Sequence, residues 1–392
     1  MKVLTVHNYY QQHGGEDQIF EAESAMLEKY GCRVFNYRVH NNLIKGKNLL
    51  SITQSTIWNK ATFIHLCKAI KQKKPDVIHF HNTFPLISAS AYYAAKAANI
   101  PVVQTLHNYR LLCPNALFFS NGHICEDCLS RLVPWPSVFK ACYRENRSAT
   151  TVSAAMLLVH RILRTYRRMV DLFISLTEFA RQKFVQSGFP EEKIVVKPNF
   201  IYPDPGNGTG NGRYALFVGR LSHEKGINIL ISAWDQILAK IPLKIVGDGP
   251  LSPVVAEALL RNDNIKWYGR QPRHIVLNLM KDASALIFPS ICYEGLPMSI
   301  VEAYSVGLPV IASNIGSLSS LIDHKNTGLF FKLADPADLA SKVEWIFSHS
   351  NYLRQMQRSA RAEYENKYTE ECNYEMLIEI YQKAIQHNKQ KK

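Results

Sequence analysis

The run Tyr293-Glu294-Gly295-Leu296-Pro297-Met298-Ser299-Ile300-Val301-Glu302 sets two carboxylates eight residues apart, directly after the apolar stretch ALIFPS. Pro297 suits the first turn of a helix, where its missing N–H costs nothing. Glu294 is then expected in a strand-to-helix loop at the carboxyl end of a sheet, with Glu302 on the helix itself. The unpaired N–H groups of that first turn, around Gly295 and Leu296, form a ready site for a diphosphate. The two carboxylates would accept hydrogen bonds from sugar and ribose hydroxyls. A surface glutamate followed by a capping glutamate gives the same spacing, so the run does not define a function by itself.

Two more strand-to-turn segments have the same character. In Phe217-Val218-Gly219-Arg220-Leu221-Ser222-His223-Glu224-Lys225-Gly226, two cations stand at the mouth of a turn. Arg220 can clamp a phosphate as a planar fork and Lys225 as a point charge. Ile245-Val246-Gly247-Asp248-Gly249-Pro250 is a second turn of this kind. Each could be no more than a turn and a helix cap; three in one half of a chain is a pattern. In the first half, Leu106-His107-Asn108 puts a histidine at a strand's carboxyl end, a favoured place for a ligand site.

These segments need elements to hold them. Short apolar runs alternate with amphipathic helical stretches, the mark of parallel α/β sheets. Strands are expected at Val3–Val6, Val34–Tyr37, Val77–Phe80, Val102–Leu106, Leu172–Leu176 and Ile194–Val196, then at Ala215–Val218, Leu243–Val246, Ile265–Tyr268, Ala285–Phe288, Val310–Ala312 and Leu329–Phe331. The two sets predict two doubly wound, Rossmann-like domains, over 1–199 and 214–369, facing a cleft at their strands' carboxyl ends. The Gly-, Pro- and Asn-rich stretch 200–213 reads as an exposed linker. A last helix, in 370–392, would cross back to the first domain. The segment 107–170 is too long for an ordinary loop and reads as an insertion.

The Glu-x7-Glu run, the Gly-Arg-Leu-x3-Lys-Gly turn and the Val-Gly-Asp-Gly-Pro turn together resemble family 4 of the retaining glycosyltransferases, with the GT-B fold, of the type that builds bacterial cell-surface polysaccharide. The resemblance covers nearly the whole chain. It adds Gly14 and Gly15, where the family has a glycine-rich loop over the donor phosphates, and Lys197-Pro198-Asn199, which looks like the segment entering the hinge. It implies transfer of a sugar from a nucleotide-diphosphate sugar to a glycan or lipid-linked acceptor, with retention and no metal. Arg220 and Lys225 would neutralise the departing diphosphate, the main catalytic task. Glu294 would bond donor sugar hydroxyls, Glu302 the ribose, and His107 would contact the donor sugar. Gly219, Gly247, Asp248, Gly295, Leu296 and Asn199 complete the implied donor site. Asn108 stands where many relatives carry Asp. A related epimerase, a sugar phosphorylase or a non-catalytic nucleotide-sugar binder are the competing readings.

Two features lie outside that pattern. Cys113, Cys125, Cys128 and Cys142 fall in the 107–170 segment as Cys-x11-Cys-x2-Cys-x13-Cys, a set that could bind structural zinc or simply be small buried residues. The stretch TTVSAAMLLVHRILRTYRRMVD would put Ala155, Leu158, Val159, Ile162, Leu163 and Tyr166 on one helical face and Arg161, Arg164, Arg167 and Arg168 on the other. That fits either an interfacial helix on anionic lipid or a helix packed on the sheet with a solvated basic face. The net charge of +14 favours anionic partners, and with no nucleic-acid-binding signature, lipid and phosphates rank above DNA or RNA. The N-terminus turns polar within seven residues, unlike a signal peptide. A cytoplasmic enzyme, peripheral on the inner face of the plasma membrane, is the expectation.

Overall fold

In a computed structural model, which describes residues 1–12 and 14–390, the chain forms two compact units. The first comprises Met1–Ser120, Cys125–Pro198 and the chain from Asn373 on; the second comprises Asn121–Ile124 and Asn199–Cys372.

The sheet of the first unit contains β1 (Lys2–Tyr9), β2 (Arg33–His40), β3 (Val77–Asn82), β4 (Val102–Leu106), β5 (Leu172–Ser175) and β6 (Ile194–Val196), in the order β2-β1-β3-β4-β5-β6. Neighbouring strands run parallel throughout, with Val3 opposite both Val34 and Val77. Strands β3, β4 and β5 are buried along their whole length, which is why they read as continuous apolar runs rather than alternating ones. The strand order reverses between β1 and β3, and the helix α1 (Gly15–Lys29) leaves the carboxyl end of β1 at that point. A ligand site is favoured where the order of a parallel sheet reverses.

The second sheet contains β7 (Ala215–Val218), β8 (Leu243–Val246), β9 (Ile265–Trp267), β10 (Ala285–Phe288), β11 (Val310–Ser313) and β12 (Gly328–Phe331), in the order β9-β8-β7-β10-β11-β12. Its reversal falls between β7 and β10, the two strands that feed the Arg220–Lys225 and Glu294 loops. Phe217, Ile245, Ile287, Ile311 and Leu329 from five strands share one apolar core with Leu230 and Trp234 from a helix.

Three expectations change. The stretch 200–213 contains no helix or strand, but it is not a free linker: Gly208, Gly210 and Gly212 donate N–H bonds to the carbonyls of Val306, Lys281 and Asp282. Alternate residues are thereby strapped along the second unit. The 107–170 segment carries its own helix, α2 (Arg147–Ile162), capped by the Asn146 side chain, with the short helices Trp135–Phe139 and Thr165–Met169 on either side, so its second half is largely helical on the way from β4 to β5. Finally, α2 buries Thr150, Ser153, Ala154, Leu157 and His160, not the predicted face. The helical period does not run through to Tyr166, because Arg164 turns left-handed (φ 52°) and a new short helix begins at Thr165. Ile162 and Leu163 are therefore left exposed.

The chain's last helix, α3 (Glu370–Gln390), contributes the buried side chains of Leu377, Ile380, Tyr381 and Ala384. Its Tyr374 ring stacks on Tyr30, and its Asn388 amide donates to the carbonyl of Asn99.

Candidate active site

In the second unit, the loops after β7, β8 and β10 are locked together through their backbones. The turn after β7 needs glycine at Gly226: φ is +73°, and a Cβ there would lie 1.9 Å from the carbonyl oxygen of Pro289. Gly247 is as constrained, with φ at +142° and a Cβ that would meet the carbonyl of Gly219 at 1.8 Å. Such close backbone approaches admit only glycine. Leu221 donates its N–H to the Asp248 carbonyl (3.0 Å), and Leu251 returns one to Leu221 (2.8 Å). Asp248 turns its carboxylate back onto its own turn, accepting from the Gly249 N–H (2.7 Å) and the Ser252 hydroxyl (2.6 Å).

On this frame Lys225 reaches Glu294, with Nζ 2.7 Å from Oε1. The Ser290 hydroxyl donates to the same oxygen at 2.7 Å, and the Ser317 hydroxyl to the Glu294 carbonyl at 2.8 Å. Burial pulls the Lys225 pKa down, but the neighbouring Glu294, Cys292 and Glu224 outweigh it and the net shift is upward. Lys225 is therefore a fixed positive charge. Arg220 lies one turn earlier with its side chain exposed and, among the described residues, unpartnered. Gly219 is half-buried at the end of β7, and Gly295 and the buried Leu296 lead from Glu294 into the helix Met298–Ser305.

Glu302 does not join this pair. It is buried one turn into that helix, where Arg273 Nε lies 3.1 Å from its Oε1. Burial raises the Glu302 carboxyl above its ordinary range, and Arg273 opposes the rise. Arg273 was not anticipated; it sits at the start of a helix whose sequence shows no distinctive motif. Asn199 is buried beside Met298, its amide 3.5 Å from the sulfur and its Oδ1 without a hydrogen-bond partner. An unsatisfied buried carbonyl oxygen costs about 1–3 kcal/mol, which a bound donor group would relieve.

In the first unit, His107 follows β4 and is 9% exposed. Its Nε2 shares a hydrogen bond of 3.1 Å with Nδ1 of His81 at the end of β3. Burial, then the nearby His7, His79 and Lys197, hold its pKa well below the ordinary histidine value, so it is a neutral imidazole. Asn108 does not orient it. The Asn108 amide instead donates to Glu16 Oε1 (2.6 Å), and its oxygen accepts the Arg110 N–H (2.9 Å). Glu16 and Gly15 form the first turn of α1. Gly14, the residue before it, has φ of −125° and open space where a Cβ would stand, so its backbone conformation does not demand glycine.

Beneath His107 lies a buried polar network that sequence reasoning missed. His7 Nε2 is 2.7 Å from Asp17, which also accepts the Gly14 N–H at 2.9 Å. His79 bonds the Tyr381 hydroxyl (2.8 Å) through one nitrogen and the Thr105 hydroxyl (2.7 Å) through the other. Lys197 Nζ meets Glu23 Oε1 at 2.6 Å and Asn373 Oδ1 at 2.9 Å. Glu23 Oε2 and His81 Nε2 lie 3.3 Å apart, without the alignment of a hydrogen bond. The sequence signal was present in His-Phe-His-Asn at the end of β3, where a period of two puts both histidines on one face.

Among the described residues, the set of His, Cys and carboxylate groups whose ligand atoms approach within 4.8 Å of one another is Glu23, His79 and His81. Both nitrogens of His79 are taken and one Glu23 oxygen already holds an ammonium, so these three read as a polar network and not a metal site, with Glu23 Oε2 and His81 Nε2 left without hydrogen-bond partners. Cys113, Cys125, Cys128 and Cys142 are free thiols that do not form such a set, and the zinc expectation has no support in this geometry. They do share a neighbourhood: burial first, then the other three thiols, push Cys128 up to about 11. Lys140 lies 3.6 Å from Cys125, and the Ser120 hydroxyl 3.6 Å from Cys142.

Two parallel Rossmann-like sheets, with a lysine–glutamate pair at the second one's switch point, define the GT-B class, and solved structures share the fold. Anabaena HepE, crystallised with UDP-glucose, superposes with a TM-score of 0.67 at 17% identity, over 99% of both chains. A glycosyltransferase from Rickettsia africae gives 0.69 at 18% identity, over 98% of both. Residues 3–204, just over half of the chain, match the family described as Glycosyltransferase Family 4, and residues 204–363 match Glycosyl transferases group 1. The chain belongs to glycosyltransferase family 4. D-rhamnosyltransferase WbpZ of Pseudomonas aeruginosa is 32% identical over 161 residues, covering 40% of this chain and 42% of that protein. The amylovoran biosynthesis glycosyltransferase AmsK of Erwinia amylovora is 26% identical over 230 residues, covering 54% and 56%. The matched part spans about half the length of these relatives.

Proposed function

We propose that this chain is a retaining, metal-independent glycosyltransferase that moves a sugar from a nucleotide-diphosphate sugar to a glycan or lipid-linked acceptor in polysaccharide assembly. The observation that carries this is the 2.7 Å Lys225–Glu294 pair at the switch point of the second sheet, with the exposed Arg220 beside it. As the glycosidic bond to the diphosphate breaks, negative charge grows on the leaving oxygens, and fixed cations aimed there lower the barrier most. Lys225 and Arg220 supply that charge, the role a divalent ion has in other transferases. Glu294, held in place by Ser290 and Lys225, accepts hydrogen bonds from donor sugar hydroxyls. Glu302, with Arg273, takes the ribose, and the orphaned Asn199 oxygen gains a donor. The acceptor hydroxyl attacks on the face the leaving group departs from, which preserves the anomeric configuration. His107, kept neutral, accepts or donates one hydrogen bond to a sugar hydroxyl without adding charge.

The relatives support a nucleoside diphosphate donor: HepE was crystallised with UDP-glucose, and WbpZ and AmsK are named for sugar transfer and for amylovoran synthesis. A thermal-shift screen over nucleotide-diphosphate sugars identifies the base and sugar together. Saturation at 100 times Kd raises stability by about 2.7 kcal/mol. With the donor known, Glu294→Ala should bind it weakly, melt near the parent temperature and release no nucleotide diphosphate in the presence of acceptor. Parental turnover by that variant, or an inverted product, overturns the assignment. The proposed setting is the cytoplasmic side of the plasma membrane; no helix among the described residues is long and apolar enough to cross it.

A further inference from the structure

The buried side of α1 is mostly apolar, yet it includes a carboxylate. Glu23 is 2% exposed and shares that side with Ile19, Phe20, Met26 and Leu27. Its partner Lys197 is as deeply buried, and the ammonium donates to Glu23 Oε1 at 2.6 Å and to Asn373 Oδ1 at 2.9 Å. A buried ion pair is often no more stable than an apolar pair of similar volume, so stability is a weak reason for this one. The proposed reaction gives neither residue a task.

The other carboxylate oxygen supplies one. Glu23 Oε2 has no hydrogen bond and lies 3.3 Å from Nε2 of His81. The second nitrogen of that ring, Nδ1, shares the 3.1 Å bond with Nε2 of His107. Lys197, Glu23, His81 and His107 thus form a row, and the row has a polarity. An ammonium only donates, so Oε1 is an acceptor. Burial keeps both imidazoles neutral, and a neutral imidazole carries one N–H and one lone pair. A lone pair on His81 Nε2 would oppose the carboxylate oxygen where no water screens it, so that nitrogen carries the hydrogen. His81 Nδ1 is then an acceptor, His107 Nε2 must donate to it, and His107 Nδ1 is left with a bare lone pair. That atom has no hydrogen-bond partner among the described residues, and His107 lines a cavity with Thr83 and Arg110. His79 imposes no such direction: its partners are the hydroxyls of Tyr381 and Thr105, which donate or accept.

We infer that Glu23 and His81 are positioning residues that set the tautomer of His107, so that its Nδ1 accepts a hydrogen bond from a sugar hydroxyl and cannot donate one. The tautomer follows from the first unit alone; the sugar hydroxyl rests on the transferase reading.

Histidine-selective ¹⁵N NMR of the full chain, without any donor, tests it by showing which ring nitrogen is protonated; the His107 signals are those lost in His107→Gln. His107 should carry its hydrogen on Nε2, and a hydrogen on Nδ1 overturns the inference. Glu23→Gln should reverse the row. The amide oxygen must stay on Lys197, because ammonium and amide NH₂ both donate, so the NH₂ turns toward His81 Nε2 and His107 becomes protonated on Nδ1. Glu23→Met with Lys197→Met leaves neither charge unpaired and should give His107 as a mixture of both forms. The parental tautomer in whichever of these two variants folds overturns the inference. With the donor known, analogues carrying fluorine in place of each sugar hydroxyl extend the test, since fluorine cannot donate. At one position the parent should lose about tenfold in kcat/KM, and Glu23→Gln should not. Equal losses at every position in the two proteins overturn the sugar contact. The tautomer is measured without donor or turnover, so it fails or stands independently of the transferase reading.

Discussion

His79, His81 and His107 are held neutral by burial at the carboxyl ends of adjacent strands, and this has a consequence for pH dependence. Burial lowers the His79 pKa from its ordinary 6.5 to about 4, and holds His81 and His107 well below the ordinary histidine value. Between pH 6.5 and about 4, the unfolded chain binds protons that the folded chain refuses, so stability falls as pH falls. Glu16 and Glu302, whose carboxyls are raised by burial, work the other way, but only from their raised values down through 4.5. The melting temperature should therefore drop between pH 7 and pH 5, where the histidines dominate. A flat profile across that range would show that the three imidazoles are charged in the folded state. Among the described residues, His81 also hydrogen-bonds the His107 ring and so holds its orientation, a part that sequence resemblance had left open at Asn108.

At the scale of elements, the loops of the second sheet are where glycine is demanded and where it is not. Gly226→Ala must strain a left-handed backbone and push a methyl against the Pro289 carbonyl, displacing the loop that carries Ser290 and Glu294. A loss of about 1–3 kcal/mol is expected for the strain alone, seen as a lower denaturation midpoint. Gly14→Ala meets open space and an ordinary backbone angle, so the same measurement should change by less than about 1 kcal/mol. Equal losses in the two variants would show that steric need at Gly226 and free space at Gly14 do not govern their stability. All twelve main-sheet strands were legible in the sequence, because buried parallel strands read as short apolar runs between turn residues. The Lys225–Glu294 pair was legible as two motifs but not as a contact, since 69 residues separate them. The core face of α2 was misread because the sequence does not announce that Arg164 leaves the helical region. Arg273 and the His7–Asp17 pair were illegible: the first depends on how the helices before and after β10 pack, and the second, though only ten residues apart, on the angle at which α1 leaves β1.

For the whole molecule, the net charge of +14 is not spread evenly in its effects. It is what remains after local pairs such as Arg361–Asp204 and Lys367–Glu363 cancel, and in the first unit Arg131, Arg161, Arg164 and Arg167 line one cavity with no acidic side chain. The first unit is also assembled from distant parts of the chain. Ending the chain at Cys372 would remove Asn373 from Lys197, Tyr381 from His79 and the buried Leu377 and Ile380 from the core. The truncated chain should lose the cooperative melting of the first unit and keep that of the second, which calorimetry resolves as one surviving transition. Two transitions at parental temperatures would show that α3 is dispensable. The 302 residues between His79 and Tyr381 also set an order of events on the ribosome. All twelve strands of the two main sheets emerge before Tyr381, so the core of the first unit must wait, with the His79 imidazole lacking one of its two hydroxyl partners, for the tail of its own polypeptide.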